Sequence, residues 1–180
     1  AIVFGDRPDL VWFGGGEIKW ERGLETVHRY IGKRVEELPV EAMEVDYITG
    51  AAMFARVETL KQVGYLPEEY FLYFEETDWC TKARQIGLRL IVLPGLRIKH
   101  YKRSETLGAP TLTYIENFCR SAIIYTKKYN PRKLPETLKV LAEKGETWIE
   151  QVGRARPGER DQARSVVETV LGTGGNTVVR

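Results

Sequence analysis

Between residues 45 and 100, β-prone runs alternate with short helices, and this alternation constrains the fold more than any other feature. The β-prone runs cover residues 45–55, 88–93 and 96–100. Helices are predicted over residues 57–63 and 77–86. Strands that alternate with short helices in this way predict an α/β sheet.

Glycines and polar residues mark the ends of both helices. Gly64 closes the first helix, and Gly87 stops the second after Ile86, because glycine commonly follows a helix C-terminus. Thr77 or Asp78 is predicted to cap the start of the second helix, since their side-chain oxygens accept hydrogen bonds from free backbone amides.

The flanking sequence adds strands before this region and helices after it. Further strands are predicted at residues 2–4 and 10–13, and residues 21–44 read as a long charged loop. Amphipathic helices are predicted over residues 111–129, 135–151 and 159–171. With 180 residues and 43% hydrophobic content, the chain is large enough for one domain with a real core.

Charge and cysteine content exclude several classes of protein. Lys and Arg number 27 against 25 Asp and Glu, so the net charge of +2 predicts no nucleic-acid partner. Cys80 and Cys119 stand far apart and are predicted to be reduced, buried thiols of a cytoplasmic protein. No apolar run approaches the ~20 residues of a membrane span. Ala1, directly before an apparent core strand, predicts a chain cut from something longer or processed.

The segment YFLYFEETDWC places Glu75, Glu76 and Asp78 directly behind four bulky apolar residues. The carboxylates could stabilise a helix N-terminus by facing its dipole and its free amides. They could also hold Mg²⁺ or Mn²⁺, with His100 adding a nitrogen ligand. A third interpretation is a general base, because apolar walls and like charges raise the proton affinity of a carboxylate.

The glycine triplet at residues 14–16 also has two interpretations. Glycine permits positive φ and close approach of the backbone, so a ligand could lie against the main chain here. The spacing of phosphate-binding loops is missing, however, and this favours a plain turn.

A set of short motifs runs through residues 45–100 in a fixed order and at defined spacing. The matching residues are Asp46, Gly50, Ala51 and Arg56, then Gly64, Glu68, Phe71, Tyr73, Glu75, Asp78 and Cys80, then Gly87, Pro94 and His100. The ordered set resembles the second half of the catalytic domain of inverting family-2 glycosyltransferases, most of all the rhamnosyltransferase type. Weaker likeness at Trp12 and Asn117 extends the resemblance to residues 10–131.

The resemblance implies a partial GT-A fold, the fold of nucleotide-diphospho-sugar transferases, with a mixed sheet and C-terminal helices. It assigns residues 1–131 to the acceptor-side half of the catalytic domain and residues 132–180 to a helical extension. The family's donor-site D-x-D motif, which carries Mg²⁺ or Mn²⁺, does not occur in this sequence. A divalent metal is therefore expected in the complete enzyme rather than from this chain by itself.

The resemblance also implies roles for individual residues. Glu76 stands where the family has the aspartate taken as catalytic base, which deprotonates the acceptor hydroxyl. Residues assigned to the acceptor side or to shaping the loop are Asp46, Gly50, Ala51, Glu75 and Asp78. Residues assigned to the donor diphosphate or its metal are His100, Lys102 and Arg103, with His100 as the metal ligand.

Two functions from different classes follow. The first is a sugar-nucleotide-dependent glycosyltransferase, or a fragment of one, that transfers a sugar such as rhamnose to a cell-surface polysaccharide or lipid-linked glycan. The second is a non-catalytic carbohydrate-binding or interaction module that retains half of the fold.

The sequence also predicts contacts beyond the substrates. An exposed sheet edge predicts pairing with another chain, including a second copy. A basic strip predicts peripheral contact with the inner face of a membrane. The strip consists of Arg120, Lys127, Lys128, Arg132 and Lys133.

Overall fold

The computed structural model describes residues 1–101 and 108–174, which form two units. The described residues of the first unit are 1–18, 26–69 and 75–101, and those of the second are 19–25, 70–74 and 108–174. The chain thus passes between the units several times. The predicted boundary between residues 131 and 132 falls inside the second unit and stays a prediction about domains.

Parallel and antiparallel strand pairs occur together in the first unit. The strands are β1 (Ile2–Phe4), β2 (Val11–Phe13), β3 (Gly16–Lys19), β4 (Glu25–His28), β5 (Met43–Glu44), β6 (Ile91–Val92) and β7 (Ile98–His100). β1 lies between antiparallel β2 and parallel β7, β3 pairs with β4, and β5 pairs with β6 in antiparallel orientation. With the helices below, this confirms the predicted α/β class with a mixed sheet and C-terminal helices.

β1 and β2 are fully buried, which explains their uninterrupted apolar sequences. The register pairs Ile2 with Phe13 on one side and with Ile98 on the other, so these three side chains share one face of the sheet. Cys80 and Cys119 are buried and free, as the sequence predicted.

The helices begin and end mostly where the sequence placed them. They are α1 (Val57–Val63), α2 (Glu75–Gln85), α3 (Leu112–Tyr129), α4 (Leu134–Ala155) and α5 (Arg160–Gly174). Gly64 has φ of 92° and Gly87 has φ of 83°, positive values that glycine adopts at little cost where a helix ends. The predicted cap of α2 at Thr77 or Asp78 is wrong, because the helix already begins at Glu75 and both residues lie inside it.

Two predictions of local structure are also wrong. The segment 21–44 contains β4, β5 and a 3₁₀ turn at Val35–Glu37, and is not one long loop. The run 45–55 contains no strand, because the amides of Asp46 and Tyr47 both donate to the Gly16 carbonyl and a 3₁₀ turn follows at Gly50–Ala52.

The second unit packs α3, α4 and α5 together with two short upstream segments. Thr111 caps α3 by accepting the Tyr114 amide, 3.1 Å from its Oγ1. In segment 19–25, the Leu24 amide donates to Thr137 Oγ1 at 2.9 Å. In segment 70–74, Ser121 Oγ donates to the Leu72 carbonyl at 2.9 Å. Residues far apart in sequence therefore share one helical core.

Within residues 1–101 and 108–174, none of the helices combines the length and the apolar character needed to cross a bilayer.

Candidate active site

Strained backbone lies immediately before α2. Tyr73 and Phe74 have φ of 67° and 70°, the left-handed region that costs a residue with a Cβ roughly 1–2 kcal/mol. Aromatic contacts hold both residues within the second unit. The Tyr73 ring centroid lies 5.1 Å from that of Tyr114, and the Phe74 centroid lies 5.5 Å from those of Phe118 and Tyr125. Strained backbone that surrounding contacts hold in place is typical of functional segments.

The three carboxylates of this segment follow directly, in the first turn of α2. Burial, and secondly the charge of Glu75, raise the pKa of Glu76 to about 7. Hydrogen bonds from the backbone amides of Glu76, Gly50 and Thr77 partly offset this rise. Glu76 is therefore populated in both protonation states near neutral pH, as a general base requires.

Each of the two glutamates has one oxygen without a hydrogen bond. Among the described residues, no donor reaches the buried atoms Glu75 Oε2 and Glu76 Oε2. Buried carboxylate oxygens are nearly always paired, and each exception calls for an explanation. An incoming hydroxyl group would supply the missing donor.

Gly50 is the predicted site residue that the fold brings to Glu76. It begins the 3₁₀ turn Gly50–Ala52, where Thr49 Oγ1 accepts the Ala51 amide at 3.4 Å. A Cβ built on Gly50 would meet no described atom within 4 Å, so the turn borders open space beside Glu76. Ala51 shares this turn, and its assignment to the acceptor side stays a prediction.

Tyr47 and Cys80 also lie near Glu76. Burial, and secondly the charge of Glu76, raise the pKa of Tyr47, so this buried phenol stays neutral. Burial raises the pKa of Cys80 to about 12, and the Ile48 amide donates to its Sγ at 3.3 Å, so this thiol is not a nucleophile. Sequence reasoning missed Tyr47, because nothing distinguishes it from an ordinary core tyrosine.

Asp78 and Asp46 form ion pairs within the first unit. Asp78 is fully buried, with Oδ1 3.1 Å from Lys82 Nζ. Asp46 Oδ1 lies 3.0 Å from Arg84 of α2, and Asp46 Oδ2 accepts the Ile18 amide of β3 at 2.8 Å. The pair of Asp78 lies within α2, whereas the two contacts of Asp46 connect α2 to β3. The acceptor-side assignment of Asp46 stays a prediction.

His100 lies in β7, with its ring centroid 4.5 Å from that of Trp12. Among the described residues, no group of three or more His, Cys, Asp and Glu side chains is placed to hold a metal ion. These residues therefore do not offer a site that fits the divalent metal implied by the resemblance, and that metal stays a prediction. Lys102 and Arg103 lie outside the described residues.

The glycine triplet lets the backbone pack closely. A Cβ on Gly16 would lie 2.3 Å from Tyr47 Cδ1, and a Cβ on Gly15 would lie 2.5 Å from Val45 Cγ1. Gly16 also starts β3, so the plain turn predicted here is wrong in part. Tyr47 fills the space that a side chain at Gly16 would need.

Comparison with known proteins gives one partial likeness. Forty-six residues of the chain are 35% identical to the low-salt glycan biosynthesis hexosyltransferase of Haloferax volcanii, a match to 26% of this chain and 15% of that protein's length. No family model and no solved structure matches the chain. The likeness is thus to a glycosyltransferase in general and reaches no finer class.

Proposed function

We propose that this chain is the acceptor-side, base-bearing part of an inverting, sugar-nucleotide-dependent glycosyltransferase. Its donor would be a nucleotide-diphosphate sugar such as a rhamnose donor, and its acceptor a cell-surface polysaccharide or lipid-linked glycan. The environment of Glu76 carries the proposal, since its raised pKa and its buried oxygen without a hydrogen bond suit a general base. The partial likeness to a hexosyltransferase supports the same class.

In the proposed reaction, the carboxylate of Glu76 takes the proton of the acceptor hydroxyl. As that O–H bond breaks, the oxygen attacks the anomeric carbon, and the bond from this carbon to the nucleotide diphosphate breaks with its electron pair. One displacement inverts the configuration. A base must lie ~2.6–3.2 Å from the atom that it deprotonates, and Glu76 reaches one methylene further than the aspartate of the resembled family.

A transfer assay tests this function. The natural full-length protein is incubated with labelled nucleotide-diphosphate sugars and a membrane extract as acceptor, and label in the glycan fraction is measured. Transfer from at least one sugar, with inverted anomeric configuration by NMR, supports the proposal. Retained configuration, or no transfer from any nucleotide sugar, contradicts it.

The missing D-x-D motif and the glutamate at the base position favour the second candidate, a non-catalytic carbohydrate-binding module. Calorimetry separates the two candidates. The full-length glycosyltransferase is expected to bind nucleotide-diphosphate sugars in the presence of Mn²⁺. A module that lacks a donor site would bind glycans and no nucleotide sugar.

The rate of transfer is expected to rise with pH through an inflection near pH 7, because the base acts when deprotonated. Substituting Glu75→Gln removes the neighbouring negative charge and should move the inflection to lower pH. The matched control is Glu68→Gln, an exposed change in the same unit. An inflection that moves equally in both variants would contradict the assigned role of Glu75.

The Gly50→Ala substitution is expected to raise the KM for the acceptor several-fold. The added methyl group would fill open space beside Glu76, so stability should change by less than about 0.5 kcal/mol. Acceptor kinetics would measure the KM, and thermal unfolding would measure the stability. An unchanged KM would show that the acceptor does not approach this turn.

Membrane contact through the basic strip also stays a proposal. Arg120 Nη2 lies 3.1 Å from Glu116 Oε1, and Lys133 Nζ lies 3.6 Å from Glu136 Oε1. These pairs cancel part of the positive charge. Flotation with anionic vesicles would measure the remaining attraction.

A further inference from the structure

Two adjoining apolar clefts lie in the first unit, and the chemistry above does not use them. The larger cleft has a volume of about 500 Å³, and the row of Ile2, Phe13 and Ile98 across β1, β2 and β7 lines it. Leu96, which is 66% exposed, lines the same cleft. Ile2 and Phe13 are buried at the base of the cleft, and Leu93, Leu96 and Ile98 expose apolar surface to solvent along it.

The second cleft has a volume of about 360 Å³ and reaches Trp79 of α2. It shares Ile48, Phe54 and Ile91 with the larger cleft, so the two form one surface, here termed the double cleft. Phe54 is 85% exposed although it belongs to both linings. Large apolar side chains exposed in a concave surface mark a binding site.

The charged side chains of the double cleft all have the same sign. They are Arg56 and Arg89 in the smaller cleft and Arg97 in the larger one. Among the residues that the structure describes, no Asp or Glu lines either cleft, although the chain contains 25 acidic residues. All three arginines are exposed, and within residues 1–101 and 108–174 no acidic partner is seen for them. An occupant should therefore be apolar over most of its length and anionic at one end.

We propose that the double cleft binds a single-chain alkyl or isoprenyl phosphate. The chain lies along Leu93, Leu96 and Ile98 and passes Phe54, and the phosphate binds Arg56 and Arg89. Guanidinium groups bind phosphate through paired hydrogen bonds, and buried methylenes supply affinity. A second copy fits this surface less well, because two arginine-rimmed clefts repel when they face each other.

The double cleft adjoins the turn that meets the base. Gly50 of this turn donates to Glu76, while Ala52 of the same turn lines the larger cleft. Trp79, which follows Glu76 by three residues in α2, lines the smaller cleft together with Arg56 and Arg89. A lipid phosphate on these arginines would thus hold an attached sugar on the side of Glu76. That assignment, a lipid phosphate as carrier of the acceptor, rests on the proposed function, whereas the binding itself does not.

Calorimetric titration of the chain tests the binding. Dodecyl phosphate is used below its critical micelle concentration, with inorganic phosphate and dodecyl maltoside as parallel titrants. Saturable binding at one site is expected for dodecyl phosphate, with at least tenfold weaker binding of the other two. The double variant Arg56→Gln/Arg89→Gln should weaken binding about tenfold or more, since each arginine contributes charge-assisted hydrogen bonds. Arg154→Gln, an exposed arginine of the second unit, is the matched control.

Several outcomes would overturn the proposal. Equal affinity for dodecyl maltoside would mean that the arginines play no part in binding. The apolar surface would then be a binding site for a protein segment. Equal affinity for inorganic phosphate would mean that the cleft is not used, and no saturable binding would end the idea. A dimer by light scattering that Leu96→Lys dissociates would identify a second copy as the occupant. Binding with no sugar transfer would contradict the proposed function alone.

Discussion

Substituting Glu76→Gln is expected to lower the rate of sugar transfer by about 10²–10⁴-fold, the usual contribution of a positioned general base. The amide keeps the shape of the side chain and loses the ability to take a proton from the acceptor hydroxyl. Initial rates of the natural full-length protein at saturating donor and acceptor would measure the loss. A lower kcat with an unchanged acceptor KM is expected, because proton transfer occurs only in the transition state.

Two variants of the same turn show whether the loss is specific. Glu76→Asp restores the aspartate of the resembled family and keeps the charge, so it should retain much more activity than the glutamine variant. Asp78→Asn changes a carboxylate that pairs with Lys82, and its effect should appear in stability rather than in the pH profile. If Glu76→Gln kept nearly full activity, Glu76 would not be the base.

The Glu76→Gln variant should also change how stability depends on pH. The pKa of Glu76 is raised in the folded state from 4.5 to about 7, so its protonated form contributes stability that is fully present below pH 4.5. That contribution is lost as pH rises through about 7. The glutamine variant should therefore become more stable relative to the wild type between these limits, as denaturant titrations at several pH values would show. A constant difference across this range would contradict a raised pKa.

The second large effect is expected from Gly16→Ala, which should lower the free energy of unfolding by about 1–3 kcal/mol through overpacking. A methyl group at this position would lie 2.3 Å from the Tyr47 ring, which is itself buried and close to Glu76. Either Tyr47 or β3 must move. Urea denaturation followed by circular dichroism would measure the change.

Gly95→Ala is the matched control, because a methyl group there meets no described atom within 4 Å. It should leave stability within about 0.5 kcal/mol of the wild type. If Gly16→Ala unfolded at the same urea concentration as Gly95→Ala, the close packing of the triplet against Tyr47 would be wrong.

Elements with a strong local signal were predictable from the sequence. The helix predicted at residues 111–129 is α3, Leu112–Tyr129, because one apolar face repeats along it and Asn130-Pro131 ends it. Gly64 and Gly87, at the ends of α1 and α2, were also predictable, because glycine commonly follows a helix C-terminus.

Elements that depend on distant contacts were not predictable. The run 88–93 shortens to Ile91–Val92, since its partner strand β5 consists of two residues, Met43–Glu44. The left-handed Tyr73 and Phe74 carry no sequence signal, because aromatic residues ordinarily adopt negative φ and rings of α3 impose the exception.

The features of the candidate site also divide into those that the sequence predicts and those that depend on distant contacts. Glu76 was named from its motif, but its contact with Gly50 joins residues 26 positions apart and depends on the fold. The ion pair of Asp46 with Arg84 was not foreseen, because charge patterns predict neighbours on one helix and not partners 38 positions apart in the sequence.

The interleaving of the two units has a consequence for how this chain could have evolved. Trp20 stacks on Tyr125 and Tyr73 contacts Tyr114, so both upstream segments depend on helices encoded much later in the gene. Recombination that exchanged only the region encoding α3, α4 and α5 would separate these aromatic side chains from the rings that they contact. We therefore expect the C-terminal helices to be inherited together with segments 19–25 and 70–74, and chimeras within a lineage to be viable only when these two segments are exchanged with the helices.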